Sequence, residues 1–167
     1  MIDKDLYINH INDDEKIIKM KQVLDKIEIV LKNHTVEYTD FLDPYEISLA
    51  VSILNRFQEI SYIQTGGYET SERSILIIFP EYMYQGDIDL NLSFLEINGN
   101  ISSLRHPDFL GAILNLGITR DKVGDILIDN DRAVVVARSE ISDYLYYNLE
   151  KISNINVKIN YINEINI

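Results

Sequence analysis

Four side chains that can bind an anion lie in or beside the segment HPDFLGAILNLGITRDKVGDILI, which covers residues 106–128. They are Arg105, His106, Arg120 and Lys122. Arginine and lysine are the residues that most often contact phosphate oxygens of nucleic acids, so the segment is a candidate RNA contact. Arg120 and Lys122 are expected to be exposed after a helix, where a solvated loop is an equally good explanation. For His106, a capping or packing role at the helix start is the simpler explanation.

The sequence contains few of the residue patterns that catalysis or metal binding requires. There is no cysteine, the three histidines are far apart, and no G-x-S-x-G nucleophile motif occurs. The carboxylate pairs Asp87/Asp89 and Asp129/Asp131 fall in predicted turns, where aspartate is common for conformational reasons. We therefore expect a protein that is not an enzyme and that has no cofactor and no metal site.

The charge of the chain is negative and uneven. The formal net charge is −12 over 167 residues. Residues 41–100 carry nine acidic and two basic residues, a net of −7, whereas residues 101–138 carry five of each. Because phosphate neutralisation drives RNA binding, the sequence predicts weak RNA affinity, on the order of micromolar to 100 µM. The acidic stretch 41–100 offers an alternative function, in which it docks a basic partner protein.

Hydrophobic periodicity predicts an α+β chain with two domains. An N-terminal α/β subdomain, residues 1–80, contains amphipathic helices at 12–33 and after Asp43-Pro44, then two strands ending at Pro80. The segment EYMYQGD is the predicted linker. Residues 86–165 follow the order β-α-β-β-α-β of a ferredoxin-like plait. Its elements are a strand at 88–97, a helix at 107–115, two strands around Asp129–Asp131, a helix at 140–151 capped by Ser139, and a strand at 156–165.

The plait lacks the residues by which RNA-recognition sheets stack bases. Its predicted central strand, RAVVVAR, has no aromatic side chain. The glycines at 111, 117 and 124 match no phosphate-binding loop. We expect Gly111 to allow close helix packing, Gly117 to end the helix and Gly124 to permit a bend into the next strand.

Several separated motifs together resemble the YlmH-type RNA-binding proteins of bacteria. The segments FLDPYEISLAVSILNRF, GGYETSERSILIIFP, HPDFLGAILNLGITRDKVGDILI and SDYLYYNLEKI occur in the order and spacing of that family, from about residue 40 to residue 160. The H-x-D-F-L-G to G-D-I-L-I block is the most specific part, although Pro107 stands where a basic residue is expected. Within these motifs we expect structural roles for Gly66, Gly67, Arg73, Asp108, Gly111, Gly117, Gly124 and Asp125.

The resemblance implies a function at the ribosome. It implies a cytoplasmic protein without a membrane span that binds the large ribosomal subunit and peptidyl-tRNA during quality control of stalled translation, in a family linked to a cell-division gene neighbourhood. Members have an N-terminal α/β region, a plait-like region and a C-terminal alpha-L RNA-binding module. The chain resembles the first two regions and stops at Ile167, so it is expected to be a truncated fragment or, as the alternative, a natural short form. The resemblance implies ribosomal RNA or tRNA as partners, bound weakly by these two regions and mainly by the third. Under the alternative function, the basic partner of the acidic stretch 41–100 is a ribosomal or cell-division protein.

Overall fold

A computed structural model of the protein describes residues 1–67 and 73–163. Helices and antiparallel sheets are both present, which confirms the predicted α+β class. The chain forms two compact units. The first comprises Met1–Thr65 and residues 73–90, and the second lies mainly from Asn91 onwards. Each unit has its own cluster of buried apolar side chains.

The first unit packs helices against a small sheet. Its elements in chain order are α1 (Asp5–Ile8), α2 (Asp14–Asn33), β1 (Glu37–Tyr38), α3 (Pro44–Leu54), β2 (Ile60–Thr65) and β3 (Ile75–Pro80). The strand order is β1-β3-β2, and both pairings are antiparallel. As the central strand, β3 is buried at all six positions, in agreement with its continuous apolar sequence. The sequence did not predict α1 and β1, which are too short to show a period.

Each of the two longer helices begins at a capping aspartate. Asp13 caps α2 by accepting hydrogen bonds from the backbone N–H groups of Glu15 and Lys16. Asp43 caps α3, with Pro44 as its first residue. The Asp43 carboxylate accepts from the backbone N–H of Glu46, and the Glu46 carboxylate accepts from that of Asp43, at 2.8 and 2.9 Å. This reciprocal pair satisfies two donors that the first turn of a helix leaves open.

The second unit has the strand order of the predicted plait. Its elements are β4 (Leu92–Gly99), α4 (His106–Leu114), β5 (Val123–Asp129), β6 (Arg132–Arg138), α5 (Ser139–Asn148), β7 (Lys151–Ile152) and β8 (Ile155–Ile162). The sheet order is β5-β6-β4-β8-β7, and every neighbouring pair is antiparallel. Without β7, this is the order that a β-α-β-β-α-β chain adopts when both crossovers pass over one face. The predicted strand at 88–97 is observed from Leu92.

Helices α4 and α5 cover one face of this sheet. Phe109 and Ile113 of α4 and Leu145 of α5 are buried in the same cluster as Leu95 and Val135 of the central strands. The alternation of side chains along a strand puts these central residues on the helix-bearing face. The segment singled out at residues 106–128 thus forms the first crossover of the plait and is anchored through Phe109.

The end of the second unit differs from the prediction. The helix predicted at 140–151 stops at Asn148, because Lys151–Ile152 pairs with β8 through a two-residue turn. Ser153 and Asn154 in that turn have φ of 47° and 69°, as a hairpin of this length requires. Ser139 does not cap α5: Arg138 is the N-cap residue, and the Ser139 hydroxyl lies 3.1 Å from that of Ser93. The predicted end of the last strand, 164–165, lies outside the described residues.

Candidate nucleic-acid interface

The start of α4 presents two of the four predicted anion-binding residues to solvent. Arg105 is the N-cap residue and His106 opens the helix, and both side chains are exposed. The Asp108 carboxylate accepts a hydrogen bond of 2.8 Å from the backbone N–H of Arg105, as in a capping box. Asp108 thereby holds the turn in place, and its negative charge partly offsets the partial positive charge at the amino end of the helix. Any anion bound here would depend on the Arg105 and His106 side chains more than on the helix dipole.

The side chains of Arg120 and Lys122 are less exposed to solvent than expected. Arg120 and Lys122 lie in a single 3₁₀ turn before β5, and both are partly buried rather than exposed. The Arg120 guanidinium donates a hydrogen bond to the carbonyl oxygen of Val123. The Lys122 ammonium lies 3.2 Å from a carboxylate oxygen of Glu140. The expectation that both side chains are exposed was wrong, because each of them contacts a neighbouring part of the domain.

The four candidates do not form one cluster along α4. Arg105 and His106 lie at its amino end, whereas Arg120 and Lys122 follow its carboxyl end. A helix of nine residues is about 13 Å long at 1.5 Å per residue. A phosphate backbone would have to span this length to touch both pairs.

The glycines of the segment have different roles from one another. Gly117 adopts φ of 88° just after α4, so it ends the helix as predicted. Gly111 has no neighbouring atom within 4 Å of the position that a Cβ would take, so the predicted close helix packing is wrong. Gly124 is buried in β5 where the pairing with β6 shifts between Val123 and Ile126.

Replacing Gly111 with alanine is expected to stabilise the protein by about 0.8–1 kcal/mol. The methyl group would meet open space, and alanine loses less backbone entropy than glycine in a helix. Gly117→Ala is the matched control and should destabilise by about 1–2 kcal/mol, since its φ of 88° is strained for alanine. Thermal and urea denaturation measure both changes. A destabilised Gly111→Ala protein would contradict the open space at this helix face.

The remaining motif residues lie in or near turns and strand ends. The Arg73 guanidinium reaches the carbonyl oxygen of Phe41 at 3.5 Å and so contacts the segment before α3. Asp125 is buried on β5. Gly66 follows β2 with φ of 89°, and Gly67 comes next. Residues 68–72, which continue the motif GGYETSERSILIIFP, lie outside the described residues.

The sheet has no base-stacking platform on β6. The side chains of Val134 and Val136 alternate with the core residues and are fully buried as well. Exposed aromatic rings occur instead on α5 and β8, at Tyr146, Tyr147 and Tyr161. The run YLYY at 144–147 was the sequence signal for Tyr146 and Tyr147, but a helical period alone does not show which tyrosines face solvent.

Neither a metal-binding cluster nor a membrane-spanning helix occurs among the described residues. Within residues 1–67 and 73–163, no three His, Asp or Glu side chains come together in a way that would hold a metal ion. None of the helices in the same ranges combines the length and the apolar character that crossing a bilayer requires.

Comparison with known proteins matches both units to one family. The family model described as "Putative RNA-binding domain in YlmH" matches residues 84–166, and the model "YlmH, N-terminal" matches residues 15–83. Both descriptions name YlmH, and neither of them names an enzyme.

A curated relative and a solved structure are also similar. "Ribosome-associated protein quality control protein P2" of Bacillus subtilis (strain 168) is 29% identical over 143 residues, which are 84% of this chain and 54% of the relative. The chain thus spans about half the length of that relative. The structure of "Cell division protein ylmH from Streptococcus pneumoniae" matches with a TM-score of 0.78 at 24% identity, over 91% of this chain and 93% of that one. The fold is therefore shared, and the two matching models place the chain in the YlmH family of RNA-binding proteins.

Proposed function

We propose that this protein binds RNA of the large ribosomal subunit and peptidyl-tRNA during quality control of stalled translation. The domain description at residues 84–166 supports RNA as the ligand, and the name of the Bacillus subtilis relative supports the ribosome and quality control. Work at the ribosome would place the protein in the cytoplasm. The domain that we propose to face RNA is the plait, with boundaries at 86 and 165.

The observation that carries the proposal is the exposed pair Arg105 and His106 within the domain matched for RNA binding. Both residues project from the amino end of α4, which Phe109 anchors to the sheet. The guanidinium can donate to two phosphate oxygens at once, and the imidazole adds a further donor or acceptor. Arg120 and Lys122 are secondary candidates, because each already has a partner within the protein.

The double substitution Arg105→Ala with His106→Ala is expected to weaken co-sedimentation with large ribosomal subunits. It should also lower the dependence of log affinity on log salt, by up to about 0.7–0.9 in slope for each lost phosphate contact. Lys158→Ala is the matched control: it removes one positive charge from an exposed position on β8 of the same domain. Stability should change by about 0.5 kcal/mol or less, since the two side chains are exposed.

Co-sedimentation of this double variant distinguishes RNA binding from docking of a basic protein. Unchanged affinity and salt slope in the folded double variant would remove Arg105 and His106 from the RNA interface. If reversing the charge of the exposed residues Asp87 and Asp89 then abolished ribosome binding, docking of a basic protein on the acidic stretch 41–100 would be favoured. Arg120 is left unchanged in this test because its hydrogen bond to Val123 contributes about 1 kcal/mol to stability.

A further inference from the structure

Three tyrosines of the second unit form an exposed aromatic cluster. Tyr146 stacks on Tyr161, with ring centroids 5.3 Å apart and planes at 24°. Tyr146 also meets Tyr147 edge to face, at 5.0 Å and 87°. The three residues, which we call the tyrosine cluster, are 39%, 73% and 45% exposed for Tyr146, Tyr147 and Tyr161. Exposed aromatic rings that contact one another are typical of interaction surfaces, where tyrosine is enriched.

Strand pairing and contacts with α5 hold Tyr161 of the tyrosine cluster in position. Tyr161 pairs with Leu95 in the sheet and therefore projects toward the face that carries α5. Its hydroxyl donates a hydrogen bond to the carboxylate of Asp143 and lies 3.4 Å from the hydroxyl oxygen of Ser142. Burial and the bond to Asp143 raise the pKa of Tyr161, so the phenol keeps its proton at neutral pH. The rings thus need little reordering when a partner binds.

The charged residues of α5, which carries Tyr146 and Tyr147, are both acidic. They are Glu140 and Asp143, and the nearest exposed basic residue in sequence after the helix is Lys151. The Asp143 carboxylate contacts the cluster directly through Tyr161. Lys122, which reaches α5 from the 3₁₀ turn, lies against Glu140. Such a field repels the phosphates of an RNA strand and attracts a cation.

We propose that the tyrosine cluster binds an arginine-bearing, basic segment of a partner protein. A guanidinium is planar and can stack on the exposed ring of Tyr147 while its N–H groups face the carboxylate of Asp143. The ring face and the carboxylate together favour arginine over lysine, which is a compact, strongly hydrated charge. This surface is separate in sequence from Arg105 and His106, and the inference does not rest on the proposed RNA contact.

Binding of short labelled peptides to the whole chain, measured by fluorescence anisotropy at low salt, tests the proposal. The probes are a peptide of alternating arginine and glycine and matched peptides with lysine or glutamine in place of arginine. The arginine peptide should bind most tightly, and Tyr147→Ala should weaken it about two- to five-fold, the range of an exposed cation–π contact. Tyr84→Ala is the control, because Tyr84 is 72% exposed in the first unit and should have no effect.

Several outcomes would overturn the proposal. The first is no binding of the arginine peptide up to about 1 mM, and the second is equal affinity in the Tyr147→Ala and unaltered proteins. The third comes from a short uridine oligonucleotide. If only the oligonucleotide binds in a Tyr147-dependent way, the cluster stacks RNA bases rather than protein side chains. An unchanged melting temperature of Tyr147→Ala establishes that the variant is folded, since its ring lies at the surface.

Discussion

Replacing Phe109 with alanine is expected to lower the free energy of unfolding of the second unit by about 3–5 kcal/mol. Phe109 is among the largest fully buried side chains and lies in the cluster between α4 and the sheet. The substitution removes its buried apolar area and leaves a cavity that the helix can fill only partly. Urea denaturation followed by circular dichroism measures the loss.

Leu114→Ala on the same helix is the control for the Phe109 substitution. Leu114 is exposed, so its truncation should change stability by about 0.5 kcal/mol or less. Because Phe109 anchors the helix that carries Arg105 and His106, Phe109→Ala should also weaken ribosome binding under the proposed function. A loss below about 1 kcal/mol would show that α4 contributes little to the core.

Replacing Lys16 with methionine is expected to destabilise the first unit by about 2–3 kcal/mol, less than the roughly 3–5 kcal/mol for a fully buried ion pair because Lys16 and Asp43 are partly exposed. The Lys16 ammonium lies 2.6 Å from a carboxylate oxygen of Asp43 and 3.3 Å from one of Glu46. Glu46 is buried, so the substitution leaves its charge without the lysine. Lys21→Met, at an exposed position of the same helix, should have little effect. Equal midpoints of the two variants in urea would refute the role of Lys16.

The same three residues predict a dependence of stability on pH. Burial alone would raise the pKa of Asp43, but hydrogen bonds from Lys16 and from the backbone of Glu46 outweigh it and lower that pKa below 3.8. A carboxyl group with a lowered pKa stabilises the fold above its unfolded value and ceases to do so as the pH falls through the folded value. The pKa of Lys16 is raised, chiefly by its hydrogen bond to Asp43, so its contribution is lost only as the pH rises through a value above 10.5. In Lys16→Met the ammonium no longer lowers the pKa of Asp43, so the loss of stability on acidification, measured as the shift of the urea midpoint, should be smaller than in the unaltered protein.

Most helices and strands could be located from the sequence alone. Asp43 and Pro44 mark a helix start because caps act on backbone groups only two or three residues away. Gly117 marks a helix end because its left-handed φ is a property of that single residue. The buried β3 and the order of elements in the plait follow from apolar periodicity and from the handedness of crossovers. The resemblance of four motifs to the YlmH family was likewise present in the sequence and is confirmed.

Contacts between distant side chains are visible only in the folded structure. Only the packing of α4 shows that Gly111 faces open space, and only the turn before β5 shows that Arg120 donates to Val123. The strand β7 has too few residues for a periodic signal and exists because β8 pairs with it. Tyr146 and Tyr161 are fifteen positions apart in sequence and stack because the register of β8 places Tyr161 beside α5. Such contacts depend on strand register and helix packing across the whole domain, which local propensity does not encode.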